Sequence, residues 1–376
     1  MKNVKSFIKQ FLENIIDGVF LVSLLFVFVI VFLIGGIYMK GSSDGIPVAI
    51  MDMDNTSGSR AIVKFLDEEP RLSVVSKPRS HAEFQENIKH GDIEAGIVIP
   101  SGFYKNLNTG NKTDIMVMLN QTNYIIGNSA SSKLFEILET ANAGLSRKIL
   151  LAKGVEPESV LNIIRPVSAI TEVRYNPSSH YGFYLDYGVL AVGIFSVLML
   201  STALMLKNRR IKGEKNSIYI FMASGFWSMV AILTAYPLMA KVFNLPFAVS
   251  SYIPFVIISI PYAILIVEFG LLFSYFPTKI HILQASGFFA TPLFFITGYT
   301  WPAHCIPAAL KWIYFASPLS PYTNGVRACL TMDSHWIRIP HYLTWLSIQC
   351  LVYTAISIFI VLTVKSKTSK ASNQIV

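Results

Sequence analysis

The sequence predicts a polytopic α-helical membrane protein with six transmembrane helices and an extracytoplasmic α/β domain inserted between the first and second spans. Three observations carry this expectation. Of the 376 residues, 53% are hydrophobic and 14% charged, with a mean hydropathy of +0.51, whereas soluble domains hold about 25% charged residues. Six apolar segments are long enough to cross about 30 Å of hydrocarbon as helices. Between the first two lies a stretch, residues 41–181, with 14 basic and 16 acidic residues and the alternating pattern of a water-soluble fold.

The elements follow in order. Val4, Phe7, Ile8, Phe11, Leu12 and Ile15 recur at helical spacing with Lys5, Lys9 and Glu13 between them. Residues 1–17 therefore read as an amphipathic helix lying on the membrane surface. Residues 18–39, "GVFLVSLLFVFVIVFLIGGIYM", carry no charge. That apolar core is longer than a signal peptide's and no A-x-A site follows, so the segment reads as a retained anchor.

In residues 40–181, the β-rich runs "IPVAIMD", "LSVVS", "AGIVIP", "DIMVML" and "SAITEVRY" alternate with the helical stretches "SRAIVKFLDE", "HAEFQENIKH" and "ASSKLFEILETANAGLSRKILLAK". This alternation predicts a small α/β domain large enough to bury its own core. The first run ends in Asp52 and Asp54, a D-x-D-x-T pattern that haloacid-dehalogenase phosphatases use for their nucleophile and magnesium. Such an enzyme also needs a G-D-x-x-x-D motif, and "HGDIEAG" places its second acid too early. The pattern therefore reads as a strand end turning into a helix, with Thr56 or Ser57 as the N-cap.

Residues 182–364 should hold five more spans: Tyr184–Leu206, Ile218–Val242, Ala248–Phe276, Ile282–Tyr299 and Tyr342–Val364, with residues 365–376 as a tail. Short connections on one side of these spans collect 12 basic residues and those on the other side 4. The positive-inside rule then places both termini in the cytoplasm and residues 40–181 outside.

Several function classes lack support. The net charge of +9 resides next to the apolar segments rather than on the inserted domain, which fits membrane orientation and anionic headgroups, not nucleic acid. Cys305, Cys329 and Cys350 form no C-x-x-C pair and no zinc spacing; they leave room for one bridge, Cys305 to Cys329, or for three free thiols. The seven histidines are scattered, and no nucleophilic triad, metal cluster or G-x-x-x-x-G-K-[ST] phosphate loop occurs.

The motifs that remain resemble a known family. "IPVAIMDMDNTSGSR" with "FLDEEP" resembles the start of the outer domain of the membrane subunit of an ATP-binding-cassette exporter of the second permease type. "VRYNPSSHYGFYLDYGVLAVGIFSVLMLSTAL" resembles that family's approach to its second span. "FFITGYTWPAHCIPAALKWIYFASPLSPYTNGVRACL" resembles its G-Y-x-[FW]-P re-entrant segment and the P-L-x-P-x-x-x-G-x-R that follows. The resemblance covers essentially the whole chain.

It implies a multi-pass permease of the bacterial inner (plasma) membrane that exports an unidentified, amphiphilic or drug-like substrate. It implies two cytoplasmic ABC ATPase subunits that bind ATP and magnesium, so that this chain needs no cofactor. A second permease subunit, identical or related, and a periplasmic adaptor are further implied partners. The coupling loop would be Lys207, Arg209, Arg210, Lys212 and Glu214, a basic run where the family carries R-E-R-E-x-G-T. The outer re-entrant gate, near residues 301–320, would be formed by Gly298, Tyr299, Trp301, Pro302 and Pro307. Its two prolines and interface-seeking tryptophans break an ordinary span.

Glu268 is the lone acid inside a span. A carboxylate there is costly by about 2.5–3.5 kcal/mol on insertion scales. It either lines the transport path or a subunit contact, or it ties two helices through a hydrogen bond. The rival readings of the whole chain are a non-transporting receptor or scaffold with a ligand-sensing outer domain, and an anchored phosphatase using Asp52 and Asp54.

Overall fold

A computed structural model of the chain describes residues 12, 16–39, 45–109, 111–122, 124–156, 175–176, 180–212, 218–332 and 335–373. The surface helix expected at residues 1–17, the strand expected in "SAITEVRY" and Glu214 lie outside the described residues, apart from isolated positions. The chain divides into two compact units, residues 42–173 and residues 1–41 with 174–376.

The first long helix, α1 (Gly18–Tyr38), is capped by Asp17, whose carboxylate accepts from Val19 N at 2.9 Å. It is apolar all round, which is what a lipid-facing span requires.

The inserted unit is α/β. Strands β1 (Ile46–Asp52), β2 (Leu72–Ser76), β3 (Ala95–Ile99) and β4 (Met116–Leu119) form one sheet in the order β2-β1-β3-β4. The first three are parallel and β4 pairs antiparallel with β3. Helices α2 (Ser57–Asp67), α3 (His81–His90), α4 (Phe103–Thr109) and α5 (Tyr124–Ala152) connect or cover the strands. Side chains alternate along β1: Val48 and Ile50 join Ile62, Leu66 and Leu134 on one face, while Ala49 and Met51 join Phe84 and Ile93 on the other. A strand covered on both faces must be apolar at every position, which is why "IPVAIM" is unbroken.

The second unit continues from α1 with α6 (Tyr181–Ile211), α7 (Ile218–Phe243), α8 (Tyr252–Phe273), α9 (Lys279–Ile296), two short helices α10 (Lys311–Ala316) and α11 (Leu319–Val326), a π-helical turn at Arg327–Thr331, and α12 (His335–Asn373). Helix α6 is the centre of this unit, and its Ala191, Ile194, Phe195 and Leu198 are fully or almost fully buried. Buried tyrosines lace the neighbours to it: Tyr236 of α7 donates to Tyr187 O at 3.1 Å, and Tyr262 of α8 donates to Ala191 O at 3.0 Å. Tyr262 also stacks on Tyr322 of α11, with centroids 3.6 Å apart.

Five helices among the described residues are long and apolar enough to cross a membrane: Gly18–Tyr38, Tyr181–Ile211, Ile218–Phe243, Val249–Phe273 and Ile337–Thr363. The protein is therefore a polytopic, mostly helical membrane protein with five such spans and an α/β unit inserted between the first two. The remaining expected segment forms α9, 18 residues long or about 27 Å. It ends at Ile296 rather than Tyr299, because Gly298 adopts φ 76°, a left-handed conformation that only glycine takes at little cost. All three cysteines are free, Cys305 exposed and Cys329 buried, so the bridge that their spacing left open is not formed.

Candidate functional site

The two aspartates that end β1 are built into the turn that follows. Asp52 Oδ1 accepts from the backbone N of Asp54 (3.0 Å) and Asn55 (2.9 Å), and its Oδ2 accepts from Ser59 Oγ at 2.7 Å. Asp54 Oδ2 accepts from Thr56 Oγ1 (2.5 Å) and from the N of Tyr104 (3.1 Å). Thr56 caps α2 reciprocally with Ser59, a capping box that satisfies two orphan helix donors. Among the described residues, no group of three His, Cys, Asp or Glu side chains is placed to hold a metal.

The basic cluster is helical where the sequence indicated a loop. Lys207, Arg209 and Arg210 lie in the last turns of α6, and Lys212 is its C-cap. Cations suit that position because the helix end carries partial negative charge. Arg210 Nη1 donates to Ser274 O at 3.1 Å and its Nη2 to Ser274 Oγ at 3.0 Å, while the guanidinium lies 3.7 Å from the Tyr275 ring centroid. Lys207 Nζ donates to Phe276 O at 2.8 Å. These two side chains therefore bind the α6 terminus to the carbonyls that end α8.

The segment after α9 is broken as its prolines require. Pro302 and Pro307 each precede a single 3₁₀ turn, Ala303–Cys305 and Ala308–Leu310. Trp301 and Trp312 are exposed, whereas Tyr299 is buried. Tyr299 O accepts from Arg327 Nη2 and from Tyr184 Oη, both at 2.9 Å, and the Arg327 guanidinium sits 3.5 Å over the Tyr299 ring. Asn324 Nδ2 donates to Thr297 O at 2.8 Å.

Irregular backbone at membrane depth needs donors from elsewhere, and α12 supplies them. Trp345 Nε1 donates to Phe315 O (3.1 Å), Gln349 Nε2 to Phe315 O (2.8 Å) and Ser317 O (3.1 Å), and Tyr353 Oη to Ala316 O (2.8 Å). The three donors sit at i, i+4 and i+8, one stripe of a helix. The stripe is visible in the sequence, but its targets are carbonyls that any residue carries; neither it nor the roles of Asn324 and Tyr184 are marked by a motif, whereas Arg327 is the arginine that ends P-L-x-P-x-x-x-G-x-R.

Glu268 lies on α8 and is 3% exposed. Its Oε1 accepts from Thr354 Oγ1 of α12 at 2.5 Å. Ser357 lies beside the carboxylate, yet neither Ser357 Oγ nor Glu268 Oε2 has a hydrogen-bond partner of acceptable geometry. The two residues border a partly open cavity of about 270 Å³, whose other walls are Ile218, Phe221, Leu271, Thr354, Ile358, Val361 and Leu362. One carboxylate oxygen thus ties α8 to α12 beside a cavity whose walls are apolar apart from Glu268, Thr354 and Ser357.

At the opposite end of α6, the backbone N of His180 donates to Asn176 Oδ1 at 2.8 Å, and the imidazole stacks on Phe183. Burial pushes that imidazole below its ordinary pKa.

A family model described as "ABC-2 family transporter protein" matches residues 18–359. No curated protein matches the chain.

Proposed function

The chain belongs to the ABC-2 family of transporter proteins, and on that premise we propose that it is the permease subunit of an ATP-driven exporter that moves an amphiphilic substrate out of the cell. The observation that carries this reading is the extent of the match, which spans the anchor, the inserted α/β unit and the helices that follow. In this reading α9 is a sixth span, both termini are cytoplasmic and the α/β unit lies outside, as the distribution of short-loop lysines and arginines favours.

The sequence contains no phosphate loop, so ATP and magnesium belong to separate cytoplasmic ABC ATPase subunits. These dock at Lys207, Arg209, Arg210, Lys212 and Glu214 and at the N-terminal surface helix. The ties from Lys207 and Arg210 to the end of α8 support this assignment, because a displacement of the α6 terminus is passed directly to the helix that carries Glu268. A second permease subunit, identical or related, completes the pathway. Gly298, Tyr299, Trp301, Pro302 and Pro307 close its outer end, and the outer unit offers a surface to a periplasmic adaptor.

Co-purification tests the proposal. A tagged chain extracted from its native membrane should bring down a protein with a phosphate loop, and that complex should hydrolyse ATP. Recovery of the chain free of any nucleotide-binding subunit would instead favour the receptor or scaffold reading, which needs no ATPase.

A further inference from the structure

The inserted α/β unit holds a cavity that the exporter reading leaves unused. It has a volume of about 320 Å³, is partly open, and is walled by α2, α4, α5 and the residues that lead into β4. Its floor belongs to the core of the unit: Ile62, Phe103 and Leu145 are buried, with Leu107, Ile115 and Leu138 packed against that core. Helix α5 forms one wall, because Phe135, Leu138, Glu139 and Asn142 follow the i, i+3, i+4, i+7 spacing of a single helix face. The polar part of the lining carries one sign of charge. Asp114 and Glu139 contribute to it and are exposed, and among the described residues no lysine, arginine or histidine does. Glu139 has no ion-pair partner among the described residues, and Asp114 has Lys112 at 3.2 Å, both side chains largely exposed. Water screens such a pair, which is worth little, so a cation seated in the cavity can take its place. Phe135, 53% exposed, adds an aromatic ring, whose face attracts a positive charge.

We propose that this cavity binds a small organic cation with an apolar body, the body against the aliphatic and aromatic floor and the charge at the rim with Asp114, Glu139 and Phe135. A few polar groups set in an otherwise apolar concavity are the common make-up of a small-molecule site. The volume of about 320 Å³ lies at the lower end of the roughly 300–1,000 Å³ that such sites span, so the ligand is compact. A neutral analogue loses the attraction at the rim, and an anion is repelled there. The proposal concerns the α/β unit alone and goes beyond the exporter reading, since it needs neither an ATPase nor a given side of the membrane.

The test is calorimetric titration of the full chain, held in phosphatidylcholine nanodiscs, with benzyltriethylammonium, whose charge is the same at every pH; empty discs are the blank. Saturable binding is expected, with weaker competition by benzyl alcohol and none by phenylacetate. Asp114→Asn and Glu139→Gln together should weaken it about tenfold, and Phe135→Ala about threefold, the scale of lost rim attraction and lost cation–ring contact. Glu136 lies on α5 outside the cavity lining and is tied to Lys133 at 2.6 Å, so Glu136→Gln should leave binding unchanged. All four side chains are exposed, and substitutions at such positions rarely disturb folding. No saturable binding, full affinity in the Asp114→Asn, Glu139→Gln variant, an equal loss in Glu136→Gln, or competition by benzyl alcohol as strong as by the unlabelled cation would each overturn the proposal. Neither ATP nor a partner subunit enters the measurement. Its failure therefore leaves the exporter reading standing, whereas cation binding by a chain that never associates with an ATPase would remove that reading and not this one.

Discussion

The ring of Tyr299 occupies the space that a side chain at residue 188 would fill: a Cβ built on Gly188 would lie 2.4 Å from Tyr299 Cε1. Tyr299 cannot easily retreat, because it is buried, its carbonyl is held by Arg327 and Tyr184, and the Arg327 guanidinium covers its ring. Gly188→Ala should therefore destabilise the folded protein by about 1–3 kcal/mol through overpacking. Thermal unfolding of Gly188→Ala, Tyr299→Ala and the double variant checks this. The double variant should be less impaired than the sum of the two, since the clash needs both partners.

Gln349 feeds one amide group to two carbonyls of the broken segment. Gln349→Leu should leave at least one of them buried without a donor, a loss of about 1–3 kcal/mol. Because the damage is local, limited proteolysis should cut first near residues 315–317. An unchanged cleavage pattern would show that the segment does not depend on α12.

Arg210 and Lys207 close the end of α8. Charge reversal at Arg209 and Arg210 together should reduce ATP hydrolysis by the assembled transporter several-fold while lowering the amount of protein in the membrane much less. Parallel falls in both would mean that the charges act only in setting orientation. Arg210→Lys should recover part of the activity, since lysine restores the charge but not the forked pair of bonds to Ser274.

Asp54→Ala removes the acceptor for both Thr56 Oγ1 and Tyr104 N. It should destabilise the α/β unit by about 0.5–2 kcal/mol, the range for a lost helix cap and its support. The full chain, supplied with magnesium and a phosphomonoester, should release no phosphate before or after the substitution. Turnover abolished by Asp52→Asn would restore the phosphatase reading.

Orientation has its own measurement. A membrane-impermeant maleimide applied to intact cells should label Ser101→Cys and spare Lys207→Cys. The reverse pattern would place the α/β unit inside the cell and remove the exporter reading.

Much of the architecture was legible in the sequence because it depends on runs of one polarity. The uncharged stretch at residues 18–38, the two-sided apolar strand at residues 46–52 and the helix-breaking prolines at 302 and 307 each announce their element. The ties between elements were not legible. Thr354 lies 86 residues from Glu268, and Trp345, Gln349 and Tyr353 find backbone carbonyls that leave no trace in residue type. Lys207 to Arg210 looked like a loop because they are charged, although basic residues are what a helix C-terminus favours. Asp52 and Asp54 were legible as a strand end turning into a capped helix, although a phosphatase nucleophile asks for the same short acidic motif, because the second acidic motif such an enzyme needs is out of register.

Helix α12 grips the broken segment through Trp345, Gln349 and Tyr353, and five residues beyond Gln349, about 7.5 Å along its axis, Thr354 meets Glu268. Both grips belong to one rigid rod. If that rod twists, the bonds at its two stations must loosen together, so neither station can reset while the other stays clamped. A covalent pin across either contact would freeze the far one as well.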